Sequence, residues 1–303
     1  MKQFKEEFKH LLENTFCSRG MPIDIPFNNM IKFVNEHIPT KLYRFRACNS
    51  YSLQSFEENT IVMCNPMKFV DKFDSWIFVD NSKVQDMIRN FYKQKGIIIT
   101  DELSNAIDLY TKKNSKFCQN AMKNTHIQFA CFTERIDSLY MWDHYTDGYR
   151  GFALEYDFKN FDKNNTDTLN IILPVIYSDY RYDITPLVNW VKMFESWFDK
   201  HSSYKFEFLD DFAYIKTYLY KDAEYYSIER EWRLFSMNKD YRKDHYEKLS
   251  DFGTLKAIYY GQDIQPWYKT YLSKIAKQKG IKEYDVMLDE NSPGYSLKIK
   301  EIK

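Results

Sequence analysis

The feature that most constrains the fold of this chain is its aromatic content. Among 303 residues there are 25 Tyr, 24 Phe and 6 Trp, whereas Gly and Pro number only 8 each. So many rings need buried surface to pack against, and so few Gly and Pro exclude collagen-like and low-complexity chains. With 44% hydrophobic and 28% charged residues, the sequence predicts a folded globular protein with a large aromatic core.

Charge and cysteine usage narrow the class of protein. The 43 basic residues balance 43 acidic ones, which argues against a strongly basic nucleic-acid binder; a nucleic-acid partner stays open but is not indicated. No run of 18 apolar residues predicts a membrane span, and the charged amino terminus does not resemble a signal peptide. Five scattered cysteines indicate reduced, mostly buried thiols and a cytoplasmic location, and no metal site is expected from the His and Cys spacing. The cysteines are Cys17, Cys48, Cys64, Cys118 and Cys131.

Hydrophobic periodicity predicts interspersed helices and strands. Helices are expected over 4–16, 28–36, 50–59, 80–123, 185–222 and 266–279. Strands are expected over 41–46, 60–64, 126–133, 151–157, 171–177, 228–235 and 255–260, with two more near 284 and 295–302. Because no regular βαβ period appears, the predicted class is α+β, with a mainly antiparallel sheet flanked by helices. We expect a helical amino-terminal extension (1–40) and a single domain (41–303).

The common nucleotide and hydrolase motifs are missing from the sequence. It contains no G-x-x-x-x-G-K-[ST], no G-x-G-x-x-G after a strand, no H-E-x-x-H and no G-x-S-x-G. P-loop, Rossmann, zincin and α/β-hydrolase functions are therefore poor candidates.

The first candidate segment is the strand at 41–46. Alternation places Arg44 and Arg46 on one face, where two guanidiniums could hold a diphosphate. The alternative is a solvated strand face above an aromatic core face.

The second candidate segment is 138–145, which contains Trp142, His144 and Tyr145. Its rings could stack on a base or a nicotinamide, and His144 could bond a ribose hydroxyl. Alternatively, Trp142 and Tyr145 anchor a short helix in the core, although His144 is harder to explain by packing.

The third candidate segment is 228–235, where a strand would place Glu229, Glu231 and Arg233 on one face. Such carboxylates can accept a proton or stabilise a developing cation. The alternative is a half-exposed strand with a Glu–Arg salt bridge.

A weaker acidic pattern supports a rival chemistry. Asp143, Glu155 and Asp157 with Lys159 could hold Mg²⁺ in a metal-dependent nuclease. Most such runs, however, are simply strands leaving the core.

Taken in order, these segments resemble an uncharacterised bacterial family, domain of unknown function 2971, over about residues 41–302. Three residues, Val70, Lys72 and Tyr226, depart from the family pattern. The matching motifs are L-Y-[KR]-[YF]-R at 42–46, the P-x-x-F loop at 66–74, C-F-[ST] at 131–133, S-x-x-M-W-x-H-Y at 138–145, G-F at 151–152, E-Y-D at 155–157, V-x-Y at 175–177, E-x-E-W-R at 229–233 and I-x-x-G at 258–261.

The order of parts also shows a looser resemblance to ADP-ribosyltransferases, which use NAD as substrate. That resemblance implies an early arginine for the pyrophosphate, a middle aromatic and His segment for nicotinamide and ribose, and a late catalytic glutamate. The residues in these roles would be Arg44 or Arg46; Trp142, Tyr145 and His144; and Glu229 or Glu231, held by Arg233.

The resemblance implies NAD and a macromolecular acceptor as partners, with no membrane partner, and would suit a toxin-like effector in bacterial phage defence. A metal-dependent nuclease and a non-catalytic binding module are the alternatives. The enzyme hypothesis requires that the basic, imidazole and acidic residues line one cleft.

Overall fold

The computed structural model describes residues 2–15, 25–65, 69, 71, 73–123, 127–158, 171–199, 208–210, 212–237, 245–248 and 254–302. The fold is α+β, as predicted, and its described part contains ten helices and twelve strands. The helices are α1 (Lys2–Asn14), α2 (Ile25–His37), α3 (Ser50–Glu57), α4 (Asn81–Gln94), α5 (Asp101–Lys123), α6 (Leu139–Tyr145), α7 (Trp190–Phe198), α8 (Ala213–Thr217), α9 (Ala223–Tyr226) and α10 (Pro266–Lys279). The strands are β1 (Leu42–Arg46), β2 (Thr60–Met63), β3 (Ile127–Thr133), β4 (Phe152–Asp157), β5 (Ile171–Pro174), β6 (Ile176–Ser178), β7 (Tyr220–Asp222), β8 (Glu231–Met237), β9 (His245–Lys248), β10 (Thr254–Tyr260), β11 (Lys282–Leu288) and β12 (Leu297–Glu301).

The chain forms two compact units, each assembled from three stretches of sequence. The first unit contains Met1–Val34, Pro66–His126 and Ile176–Asp222, and the second, the sheet unit, contains Asn35–Asn65, Ile127–Val175 and Ala223–Lys303. The predicted helices at the amino terminus are present as α1 and α2. The division of the chain at residue 40 stays a prediction.

An eight-stranded sheet organises the sheet unit, in the order β12-β11-β10-β4-β1-β3-β8-β5. All of its neighbouring strands run antiparallel except β10 and β11. Strand β1 lies inside this sheet, between β4 and β3, so its backbone is paired on both sides. The sequence prediction of a mainly antiparallel sheet is therefore confirmed.

The two faces of the sheet carry different layers. On the face that we call the α6 face, Tyr43 and Phe45 pack with Trp142 of α6 in a cluster of buried residues. On the opposite face, which we call the α3 face, the Phe56 ring of α3 lies 6.2 Å from that of Phe152. Helix α10 lies on this second face too: its Lys269 lies over the Tyr260 ring of β10, and its Tyr271 donates to Glu57 of α3.

The first unit is built mainly from helices. The rings of Phe4 in α1 and Phe33 in α2 stack 5.5 Å apart, and the ring of Tyr110 in α5 meets that of Phe194 in α7 at 5.4 Å. Short strands β6 and β7 form a parallel pair. Burial of these rings accounts for part of the high aromatic content.

Three sequence predictions need correction. The segment 185–222 is not helical throughout: it contains α7, α8 and, at its end, strand β7, which pairs with β6 through backbone bonds that its own sequence does not reveal. The strand expected over 228–235 begins only at Glu231, and β9 was not predicted. The thiols are less buried than expected, because Cys118 is the only buried one of the four that the structure describes; Cys17 lies outside the described residues.

Two glycines, Gly151 and Gly261, allow backbones to approach closely. A side chain at Gly151 would collide with the carbonyl oxygen of Arg46, and one at Gly261 would collide with that of Tyr149. The Gly261 amide also donates to the Gly151 carbonyl at 3.0 Å. These contacts join the turn before β4 to the end of β10.

We therefore expect Gly261→Ala to destabilise the protein, because the new methyl group meets backbone that cannot move aside. The loss should be about 1–3 kcal/mol in the free energy of unfolding, measured by denaturant titration. Gly294→Ala is the matched control, since the nearest atom to its added carbon is the Ser292 hydroxyl at 3.8 Å. Equal stability of the two variants would contradict this account.

A buried ion pair in the first unit should also contribute to the stability of the protein. The Lys216 ammonium lies 2.7 Å from the Asp210 carboxylate, with both side chains buried, and it also donates to the Thr15 carbonyl. Replacing Lys216 with Met leaves the carboxylate buried without its cation, which should cost about 3–5 kcal/mol of unfolding free energy. Lys83→Met, which removes an exposed partner of Asp80, should leave the midpoint of thermal unfolding unchanged. If Lys216→Met has the same midpoint of thermal unfolding as the wild type, the ion pair does not stabilise the protein as we infer.

Candidate functional site

A row of polar side chains crosses the α6 face of the sheet. Strand register places Glu155 of β4 beside Tyr43 of β1, Tyr43 beside Thr133 of β3, and Thr133 beside Glu231 of β8. Residues in register on antiparallel strands point to the same face, so these four side chains lie side by side. We call them the polar row.

One end of the polar row is a tyrosine–carboxylate cluster. The Tyr259 hydroxyl donates to Glu155 at 2.6 Å, and the Lys41 ammonium lies 3.2 Å from the same carboxylate oxygen. Burial raises the pKa of both Tyr43 and Tyr259 well above the usual value, and the neighbouring Glu155 carboxylate raises them further. Both tyrosines therefore stay neutral donors.

The other end of the polar row holds a buried ion pair. The Arg233 guanidinium donates from Nε to Glu231 Oε1 at 2.8 Å and from Nη2 to Oε2 at 3.3 Å. Arg233 is completely buried, and its guanidinium lies 4.6 Å from the centre of the Phe129 ring. The predicted Glu–Arg salt bridge is therefore present, but it is buried and not half-exposed.

Glu229 reaches the same region by a different local structure. It ends a 3-10 helix, Ser227–Glu229, and the next residue, Arg230, has a left-handed backbone with φ of 45°. That turn separates Glu229 from the strand, so Glu229 does not share the alternation of Glu231 and Arg233. Even so, Glu229 is buried, and its backbone carbonyl accepts a hydrogen bond of 2.5 Å from the Thr133 hydroxyl.

Helix α6 supplies the hydroxyl that contacts Glu229. Tyr145 Oη donates to Glu229 Oε1 at 2.6 Å, while 42% of the Tyr145 surface remains exposed. We call Glu229, Glu231, Arg233 and Tyr145 the acidic site.

Two further rings of α6, those of Tyr140 and His144, lie near Tyr145. The His144 ring stacks on Tyr140 at 4.1 Å, and the Tyr140 and Tyr145 rings are 6.5 Å apart. His144 is exposed, with Nδ1 3.1 Å from the Tyr140 carbonyl oxygen. Because His144 is exposed, it does not need the hydrogen-bond partners that a buried imidazole would require.

Trp142 has no surface on which a ligand could stack. Its ring is fully buried, its Nε1 donates to the Ile136 carbonyl at 2.7 Å, and the Phe45 ring lies 5.0 Å away. The expectation that Trp142 frames nicotinamide does not fit this burial; the alternative of a core anchor does.

The two early arginines lie on the opposite side of the sheet. Because Tyr43 points to the α6 face, its neighbour Arg44 points to the α3 face, as does Arg46. Consistently, the Arg44 guanidinium lies 5.7 Å from the centre of the Phe132 ring. The expected single cleft is therefore wrong: the alternation of β1 separates Arg44 and Arg46 from the acidic site. Their alternative as a solvated face is also wrong for Arg44, which is buried.

The acidic residues of the nuclease hypothesis do not form a metal centre in the described part of the chain. There, no group of three or more His, Cys, Asp or Glu side chains is arranged to hold a metal ion. Asp143 is exposed beside His144, whereas Glu155 is buried. Lys159 and the motif residue Pro66 lie outside the described residues.

Residues 141–234 match a family model described as "Protein of unknown function (DUF2971)". The match begins in α6 and ends in β8, so it includes the whole acidic site. It confirms the family resemblance over these residues, which are less than half of the chain. No curated protein and no solved structure matches the chain, and neither comparison supports the resemblance to ADP-ribosyltransferases. Of the helices that the structure describes, none has both the length and the apolar character of a membrane span.

Sequence reasoning names both glutamates, Arg233 and Tyr145 as site residues. It does not identify Tyr43 and Thr133 of the polar row, or Tyr259 beside the row, as part of a site. Alternation along β1 would have placed Tyr43 opposite Arg44, but strand pairing, which places it beside Glu155, cannot be deduced from one strand.

The stability of the protein at alkaline pH should show the contribution of the tyrosine–carboxylate cluster. An unfolded tyrosine has a pKa of about 10. Because the pKa values of Tyr43 and Tyr259 are raised in the folded protein, the folded state holds more protons above that pH. Their contribution to stability is therefore complete below pH 10 and is lost as the pH rises above it.

Removing one of these hydroxyls should make the stability of the protein fall less steeply as the pH rises. For Tyr259→Phe we expect the unfolding free energy to fall by about 1.4 kcal/mol less per pH unit above pH 10. Denaturant unfolding between pH 9 and 11, with tyrosinate absorbance, measures this. Tyr295→Phe, at a residue that is 98% exposed, should keep the wild-type slope. Identical slopes for both variants would rule out the raised pKa.

Proposed function

We propose that this protein is an enzyme that cleaves NAD at the acidic site and transfers ADP-ribose to a macromolecule. Glu229 is the residue that we assign as catalytic carboxylate. The observation that carries the proposal is the hydrogen bond between buried Glu229 and the half-exposed Tyr145, because it places a carboxylate next to the hydroxyl of an accessible aromatic ring.

The chemistry that this arrangement allows is simple. A ribose hydroxyl can replace the Tyr145 hydroxyl as the donor to Glu229, and the carboxylate then stabilises positive charge that develops on the sugar. The bond between ribose C1′ and the nicotinamide nitrogen breaks, and its electron pair leaves with nicotinamide. The acceptor's oxygen or nitrogen attacks C1′, and its proton passes to the carboxylate.

Neighbouring groups have supporting roles in the proposal. Tyr145 and Tyr140 offer the flat surface on which nicotinamide stacks. His144, which directly precedes Tyr145 in α6, contacts a ribose hydroxyl. Glu231, held by Arg233, is a positioning residue of the site. Arg44, Arg46 and Trp142 are not part of it.

The test is to incubate the protein with NAD labelled on the adenine and with candidate acceptors, and to measure nicotinamide release and label transfer. We expect Glu229→Gln to lower the rate on the order of 100-fold or more. The amide oxygen of Gln can still accept from Tyr145, so the melting temperature should stay close to that of the wild type. Glu290→Gln, at an exposed position, is the matched control and should keep full activity.

Glu231→Gln serves a different purpose. It leaves the buried Arg233 without its carboxylate, so this variant should lose stability as well as activity. No binding of NAD by calorimetry, together with no nicotinamide release by the wild type, would end the proposal and favour a non-catalytic binding module.

A further inference from the structure

Two arginines of β1 lie together on the α3 face of the sheet. Arg44 is 6% exposed, and Arg46, two residues further along the same face, is half-buried. The two arginines therefore hold two positive charges on the same face of β1, where contact with water is reduced.

The guanidinium of Arg44 is only partly hydrogen-bonded. Its Nη2 donates to the Val62 carbonyl at 2.7 Å, but its Nε is buried and has no hydrogen-bond partner among the residues that the structure describes. Buried donors in folded proteins are nearly always paired, so an unpaired Nε–H on a buried cation indicates a missing acceptor.

Among the described residues, neither arginine has a carboxylate partner. No Asp or Glu there lies at ion-pair distance from Arg44 or Arg46, and the Arg46 side chain makes no hydrogen bond to these residues. Arg233 in the same sheet differs from them, because its positive charge is paired with the Glu231 carboxylate. Buried charges without partners are costly, so the lack of an anion at Arg44 and Arg46 needs an explanation.

The electrostatic surroundings of the two arginines favour the binding of an anion. Burial lowers the pKa of Arg44, and burial together with the charge of Arg44 lowers that of Arg46. The polar groups that act on both guanidiniums are the Tyr156 hydroxyl and the thiols of Cys64 and Cys131. An anion between the arginines would relieve the repulsion between them.

We propose that Arg44 and Arg46 bind a phosphoryl group on the α3 face. Two guanidiniums offer two donor forks and two positive charges, which match the several oxygens and the double charge of a phosphate; a carboxylate matches only one fork. Because Arg46 is the more exposed of the two, the phosphoryl group enters from its side. This site is independent of the proposed NAD chemistry, which belongs to the α6 face.

Thermal unfolding with added anions tests this site. Inorganic phosphate and, separately, adenosine monophosphate should raise the melting temperature of the full chain relative to sodium chloride at the same ionic strength. Calorimetry then compares their dissociation constants. Tighter binding of the monophosphate ester assigns the site to phosphate esters, and equal or weaker binding assigns it to free phosphate; either result supports the proposal.

Arg46→Met separates this site from general anion effects. Removing one of two neighbouring cations should leave the unliganded protein at least as stable as the wild type, and it should weaken phosphate binding by tenfold or more. Arg150→Met, at an exposed arginine paired with Asp147, should bind phosphate as the wild type does. The proposal is overturned if phosphate and the ester cause no shift beyond that of chloride, or if Arg46→Met shows the same shift as the wild type.

Discussion

The structure of the sheet unit depends on the pairing of β1 with strands on both of its sides. Both edges of β1 are paired, and the layers that contain α6 and α3 pack on its two faces. Alternation along the strand sends every second side chain to each face. Tyr43 and Phe45 are therefore committed to the layer under α6, and Arg44 and Arg46 to the layer under α3. A sequence as short as Tyr-Arg-Phe-Arg thus supplies an aromatic core to one side and two cations to the other.

Charged groups on the α6 face remain buried because each is paired, either with a neighbouring strand or within its own strand. Glu155 accepts from Tyr259 and lies near Lys41, whereas Glu231 is held by Arg233. A carboxylate left alone at such a depth would cost several kcal/mol, so the pairs make the burial tolerable. Glu229 differs in that the hydroxyl bonded to it comes from a residue with exposed surface, and this difference is why we assign the chemistry there.

The sequence predicted the class of fold well, because long periodic segments such as α5, α10 and β3 carry their own signal. It failed where structure depends on distant pairing. Strand β7 is predicted as helix because three residues have no period of their own. The expected strand at 228–235 begins only at Glu231, because the left-handed backbone of Arg230 before it has no signature in a non-glycine residue. For the site, the residue types were correct, but grouping them required the strand order, which joins residues 43, 133 and 231 and separates them from Arg44.

The two outer strands of the sheet have a consequence for behaviour at high concentration. Strand β12 carries Lys298, Lys300 and Glu301 along its free edge, and β5 at the other edge ends in Pro174, which has no N–H to offer. Charged side chains and proline are how natural sheets discourage a second chain from adding a strand. Both borders of this sheet are protected in that way against growth into edge-to-edge aggregates.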